Sequence, residues 1–157
     1  MKNTRNNLFE TNSSSLHTIT YCSDNEIELD KNLIIELKYF DNDEYTSVSD
    51  KLALLCIALI WKCDFENVYG YLNGYRVYVI KEQLELLKNL KTVLEHYGVE
   101  KVEFKWDSDE RFGCSCDDEI MDELESIYKS VNDIEDYLKH QAVYIFDRDD
   151  YYRDRGY

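Results

Sequence analysis

Proline is absent from this 157-residue chain, and glycine occurs only five times. Without proline, no position is barred from helix or strand by a missing N–H donor. Basic residues are scarce: 18 Lys and Arg stand against 33 Asp and Glu, a net charge of −15. That excess repels nucleic acid and anionic membranes, so direct nucleic-acid binding is not expected, and a charged partner should be basic. Long apolar runs are missing too. The longest covers residues 52–61, well short of the roughly 20 residues that cross a hydrocarbon core, so no membrane is expected. The polar opening MKNTRNN reads against a secretion signal. The five cysteines are odd in number and scattered, which suits reduced thiols and a cytoplasmic setting. At 44% apolar and 14% aromatic residues, the chain is too apolar for disorder.

The length suits one domain, with residues 1–14 as a polar lead-in and 147–157 as a charged aromatic tail. Between them, helical and strand patterns mix without a regular βαβ rhythm. The expectation is an α+β fold: a four- or five-stranded, mostly antiparallel sheet with three or four helices. Strands are expected at 15–22, 33–40, 75–79, 99–106 and 142–146, where β-branched and aromatic residues cluster or alternate. Ser47-Val-Ser-Asp50 resembles a capping box ahead of a buried helix over 51–63. Ile80, Leu84, Leu87, Leu90, Leu94 and Tyr97 mark an amphipathic helix stopped by Gly98. Ile120, Leu124, Ile127, Val131, Ile134 and Leu138 mark a long one, with a break near Asn132.

The segment Glu10-Thr-Asn-Ser-Ser-Ser-Leu-His-Thr raises a catalytic question. In an extended chain Ser13, Ser15 and His17 share a face, with Ser15 and His17 about 7 Å apart. A serine nucleophile needs a base in reach and a third group to orient it, and the sequence names no such third group. The hydroxyls also suit a nucleotide or phosphate, with Ser13, Ser14, Ser15 and His17 lining a pocket and Arg5 as an anion clamp. A plainer role is satisfying backbone groups in the turn before a strand.

The stretch LFETNSSSLHTIT resembles the start of uncharacterised proteins of bacteriophages and Firmicutes, which carry a Phe-Glu-Thr-Asn-Ser-Ser-Ser-Thr-His-Ser segment. The match runs from Phe9 through Ser15 and includes His17, and departs at Leu16 and Thr18. YLKHQAVYIFD is similar to an Asp-His-Gln segment of the same proteins, with Lys139 in the Asp place. The resemblance implies a phage or mobile-element setting, hence a host-cell cytoplasm, and no particular reaction.

Cys114 and Cys116 place two thiols close together, and Cys22, Cys63 and His17 would complete a tetrahedral zinc site. Structural zinc usually shows two Cys-x-x-Cys pairs, and a second pair is missing. A thiol just ahead of a helix would also have a lowered pKa, the basis of a redox role. Cys56 and Cys63, seven apart on one helix face, read as core. No cofactor is expected. In the tail, Asp147, Asp149 and Asp150 could hold Mg²⁺, but Arg148, Arg153 and Arg155 interleave with them.

The dominant feature is a block of carboxylates: Asp107, Asp109, Glu110, Asp117, Asp118, Glu119, Asp122, Glu123, Glu125, Asp133, Glu135 and Asp136, opposed by Arg111 and Lys129. As one continuous helix, residues 117–136 would run about 30 Å. Their carboxylates would then recur about every 3.3 Å, close to the roughly 3.4 Å phosphate spacing of one DNA strand. A solvated acidic face is the plainer account. The functional expectation is an acidic interaction protein that binds and inhibits a basic, nucleic-acid-handling host protein such as a nuclease. An anti-CRISPR or related anti-defence role, by nucleic-acid mimicry, is its concrete form. Asp107 to Glu125 of the block would meet the partner, with Tyr151 and Tyr152 as apolar anchors. The alternative is a small enzyme or phosphate-binding protein built on Ser13, Ser15 and His17.

Overall fold

The chain carries both the period-two and the three-to-four spacing patterns, and the structure realises them in turn. In order they are β1 (Asn7–Phe9), β2 (Ser15–Tyr21), β3 (Asn32–Glu36), β4 (Tyr39–Phe40) and β5 (Asp43–Tyr45), then α1 (Val48–Cys63), α2 (Phe65–Leu72) and α3 (Lys81–His96). After these come β6 (Lys101–Lys105), β7 (Gly113–Cys114), α4 (Asp117–Ile127), α5 (Val131–His140) and β8 (Gln141–Asp147). The computed structural model describes residues 7–9, 15–21, 25–41, 43–107, 112–114 and 117–147. Within these, the backbone alone is described for 7–9, 15–18, 20–21, 114, 117–120 and 146–147. The tail from 148 onward and residues 1–6 lie outside.

The α+β expectation holds, with the detail rearranged. The expected single sheet is divided. One four-stranded antiparallel sheet runs in the order β1-β2-β8-β5, and two parallel pairs stand apart, β3 with β6 and β4 with β7. Five helices stand among the described residues, where three or four were expected. Part of the lead-in is structured, since Asn7–Phe9 pairs with β2, Phe9 opposite His17.

α1 is the organising element. Ser47 caps it, its hydroxyl accepting from Asp50 N–H at 3.1 Å. From Lys51 to Ile60 every residue is buried, because α1 touches each of the other four helices and β3. Two tyrosines lock the helices around it. Tyr137 of α5 donates to Lys51 O at 3.2 Å, and the Tyr128 hydroxyl donates to Leu55 O. Burial raises both phenols well above their usual range, so they remain donors.

Lys51 is the buried charged residue of this core. Its Nζ donates to Tyr137 O, Leu138 O and Gln141 O at 3.1, 2.6 and 2.7 Å. These carbonyls belong to the last turn of α5 and the first residue of β8. A helix C-terminus leaves its last carbonyls short of intrahelical partners and favours a cation there, and Tyr137 O accepts from the capping Gln141 N–H as well. Lys51 therefore holds the sharp change of direction between α5 and β8.

Three local expectations are corrected. Residues 75–79 form no strand; they lie along α2, with Tyr75 N–H donating to Gly70 O at 2.6 Å and Tyr78 N–H to Asn67 Oδ1 at 3.1 Å. Gly70 permits this approach, since a Cβ there would sit 3.3 Å from Val77 Cγ1. The expected strand 33–40 breaks at Leu37 and Lys38 into β3 and β4. The break expected in the long acidic pattern is present and makes it two helices, but its position shifts. Tyr128 turns into the core, and Ser130 begins a new helix by accepting from Asp133 N–H at 3.0 Å. The break comes two residues earlier than the Asn132 reading.

Candidate functional site

α4 buries Met121, Leu124, Ile127 and the following Tyr128, a spacing of three and four that fixes its inward stripe. At about 100° per residue, Asp122 and Glu125 fall on one side of that stripe and Glu123 on the other. Glu123 turns one carboxylate oxygen out of water. The described carboxylates of α4 are thus divided between flanks, and the break at 128–130 separates α5 from α4. Glu135 lies 3.8 Å from His96 Nδ1 and 4.0 Å from Lys139 Nζ, and Asp136 accepts from Gln141 Nε2 at 2.9 Å. Both engage their own chain. Among the described residues, the carboxylates from Asp122 to Asp136 do not form the evenly spaced lane of charge expected over 117–136.

Asp122 and Glu125 instead meet something absent from the sequence reading. Together with Trp61, Lys62, Met121 and Leu86 they line a groove of about 210 Å³ between α1, α3 and α4. Trp61 is the large side chain at the solvent end of the buried helix, 44% exposed. Gln83 of α3 ties the third wall in place, its Nε2 donating to Lys62 O at 2.8 Å. Lys62 Nζ forms an ion pair with the Glu125 carboxylate across the groove. Both partners are a little over a third exposed, so the pair contributes little to stability and can be exchanged cheaply for an incoming cation.

Among the described residues, the groove's lining holds no serine, cysteine or histidine. An aromatic face beside two carboxylates is instead suited to hold a guanidinium or ammonium group through cation–π attraction and ion pairing. The signal available in the sequence was Trp61-Lys62 closing an otherwise apolar helix.

The other expected site residues fall elsewhere. Asp107 is exposed just beyond β6 and is not part of the groove. Asp117, Asp118 and Glu119 form the first turn of α4, described by backbone alone. Asp109, Glu110, Tyr151 and Tyr152 lie outside the described residues, as do Arg5, Ser13, Ser14, Cys22, Cys116, Asp149 and Asp150. Ser15 and His17 sit in β2, opposite Asp147 and Ile145 of β8; only their backbone is described. Cys114 is in β7, again by backbone alone. Cys56 and Cys63 are core residues, with thiols pushed up to about 12 and about 11, chiefly by burial. Among the described residues no group of three or more His, Cys, Asp or Glu is placed to hold a metal ion, and no helix is long and apolar enough to cross a membrane. No protein-family model, curated protein or solved structure matches the chain.

Proposed function

We propose that this chain is an acidic interaction protein that binds a basic partner through the α1–α4 groove. One observation carries the reading: Trp61 stands half-exposed in a groove that also bears Asp122 and Glu125. Trp is an enriched anchor at interfaces, and a flanking carboxylate selects Lys or Arg in the segment it receives. In the phage setting implied by the resemblance at Phe9 to His17, the partner is a nucleic-acid-handling host-defence protein such as a nuclease. Inhibition would then come from carboxylates occupying the place of phosphates in a basic cleft. The form of mimicry this supports is local, a pair of charges beside an aromatic anchor.

Affinity capture from host lysate at about 50 mM and 500 mM salt, with mass spectrometry, identifies the partner. The partner is then titrated against three variants, Trp61→Ala, Asp122→Lys and Glu125→Lys, each checked for fold by circular dichroism. Each folded variant is expected to weaken binding at least about tenfold. The two charge reversals should mainly slow association and flatten its salt dependence. A partner that binds all three as tightly as the parent chain removes the groove from the interface.

A further inference from the structure

Among the described residues, β3 is paired with a strand on one edge only. Lys101 N–H donates to Lys31 O at 3.0 Å, and Leu37 N–H donates to Lys105 O at 2.7 Å. In a parallel ladder, alternate residues turn their N–H and C=O to the same side. The odd-numbered positions, Leu33 and Ile35 among them, therefore face β6. Asn32, Ile34 and Glu36 direct their main-chain groups to the opposite edge, where no described strand pairs with them.

A groove of about 220 Å³ touches Leu33, Ile34 and Ile35 together, with Leu52 of α1 and with Glu28 and Asp30. Successive side chains of a strand point to opposite faces. A groove in contact with three consecutive residues, and with none of β6, therefore lies along the free edge. Its two sides differ. Leu33, Ile35 and Leu52 are buried beneath it, while Ile34 is 46% exposed on the other face. Among the described residues no Lys or Arg lines it, and its rim carries Glu28 and Asp30, with exposed Glu36 farther along the strand.

We infer that this edge of β3 is a strand-addition site for an extended basic segment of a partner protein. Main-chain groups recurring about every 6.6 Å match alternate residues of such a segment. Its apolar side chains would lie towards Leu33, Ile35 and Leu52, and its Lys or Arg side chains towards Ile34 and the rim carboxylates. Charge decides the occupant. Two copies paired antiparallel with Asn32 opposite Ile34 would set Asp30 against Glu36, a like-charge contact of the kind by which open edges avoid self-pairing. A basic segment meets the same residues with attraction. The site is distinct from the α1–α4 groove and stands independently of it.

The probe is the peptide acetyl-Lys-Val-Lys-Val-Lys-Val-Lys-amide, with two analogues N-methylated on its lysines or on its valines. Binding is followed by fluorescence anisotropy and by the amide shifts of Asn32, Ile34 and Glu36. The expected result is saturable binding that shifts these three amides. One analogue should weaken it roughly tenfold, because only one parity of amides bonds to the edge. Ile34→Pro, which removes a donor at a position where edge strands tolerate proline, should weaken it similarly. Equal binding by both analogues and the parent peptide overturns the inference, because attraction without main-chain pairing would account for it. So does a concentration-dependent dimer that Ile34→Pro abolishes, which would assign the edge to a second copy.

Discussion

Lys51 shows how one side chain can set the path of the chain. Its ammonium has no exposure to water, yet three carbonyls from the α5–β8 corner surround it within 3.1 Å. Lys51→Met keeps most of the stem and removes the donors. Leu138 O, which is buried, then loses the ammonium that answered it, a desolvation cost not recovered, and Gln141 O and Tyr137 O each lose a bond, Tyr137 O keeping the Gln141 N–H. The expected loss is about 3 kcal/mol in urea unfolding, a fall in Tm of about 10 °C at this chain length. Tyr137→Phe, which removes one bond to Lys51 O, should cost about 1 kcal/mol. A Lys51→Met protein as stable as its parent would show that the corner is held by apolar packing alone. Nothing in residues 48–63 read singly announces this role. A lysine in the first turn of an apolar helix looks like a solvated flank until α5 and β8 are placed against it.

At the scale of elements, the corner between α1 and α2 stores strain. Asp64 sits at φ 68, ψ 152, a region that L-residues other than glycine rarely occupy. It holds that conformation because its N–H caps α1 on Ile60 O at 2.9 Å while its carbonyl accepts from Val68 N–H at 3.2 Å. Asp64→Gly releases the strain at a smaller cost in unfolded-chain entropy. The expected gain is about 1 kcal/mol, read as a Tm raised by about 3 °C in thermal unfolding. The same corner explains what the sequence could not show. The apolar content of 52–60 and the three-to-four spacing of 84–94 sufficed for α1 and α3, and alternation sufficed for β6. α2 was missed because its eight residues include Gly70 and two tyrosines, a composition that also suits a strand. Residues 75–79 alternate convincingly, but their amides are taken by α2. The candidate groove was half legible. Asp122 and Glu125 belonged to the acidic block, but Trp61 is some sixty residues away in the chain, and only packing of α1 on α4 brings it across.

For the whole molecule, the net charge of −15 acts on folding and on binding with opposite sign. Few of the carboxylates are neutralised within the described fold. The pairs formed are mostly exposed, as at Lys31–Glu100, Lys101–Glu103 and Lys62–Glu125, and such pairs contribute little. Mutual repulsion among the rest then opposes the compact state. Added salt shortens its range, from a Debye length of about 30 Å at 0.01 M to about 8 Å at 0.15 M. Raising NaCl from 0.01 to 0.3 M should therefore raise Tm, by roughly 3 °C for each kcal/mol of repulsion screened, and the gain should level off once the Debye length falls below the spacing between charges. Over the same range the attraction of a basic segment to Asp122 and Glu125 should weaken. Thermal unfolding and partner titration across one salt series measure the two slopes together. A Tm that falls with salt would mean the carboxylates are net-paired in the fold, leaving little unbalanced charge on this surface to attract a cation.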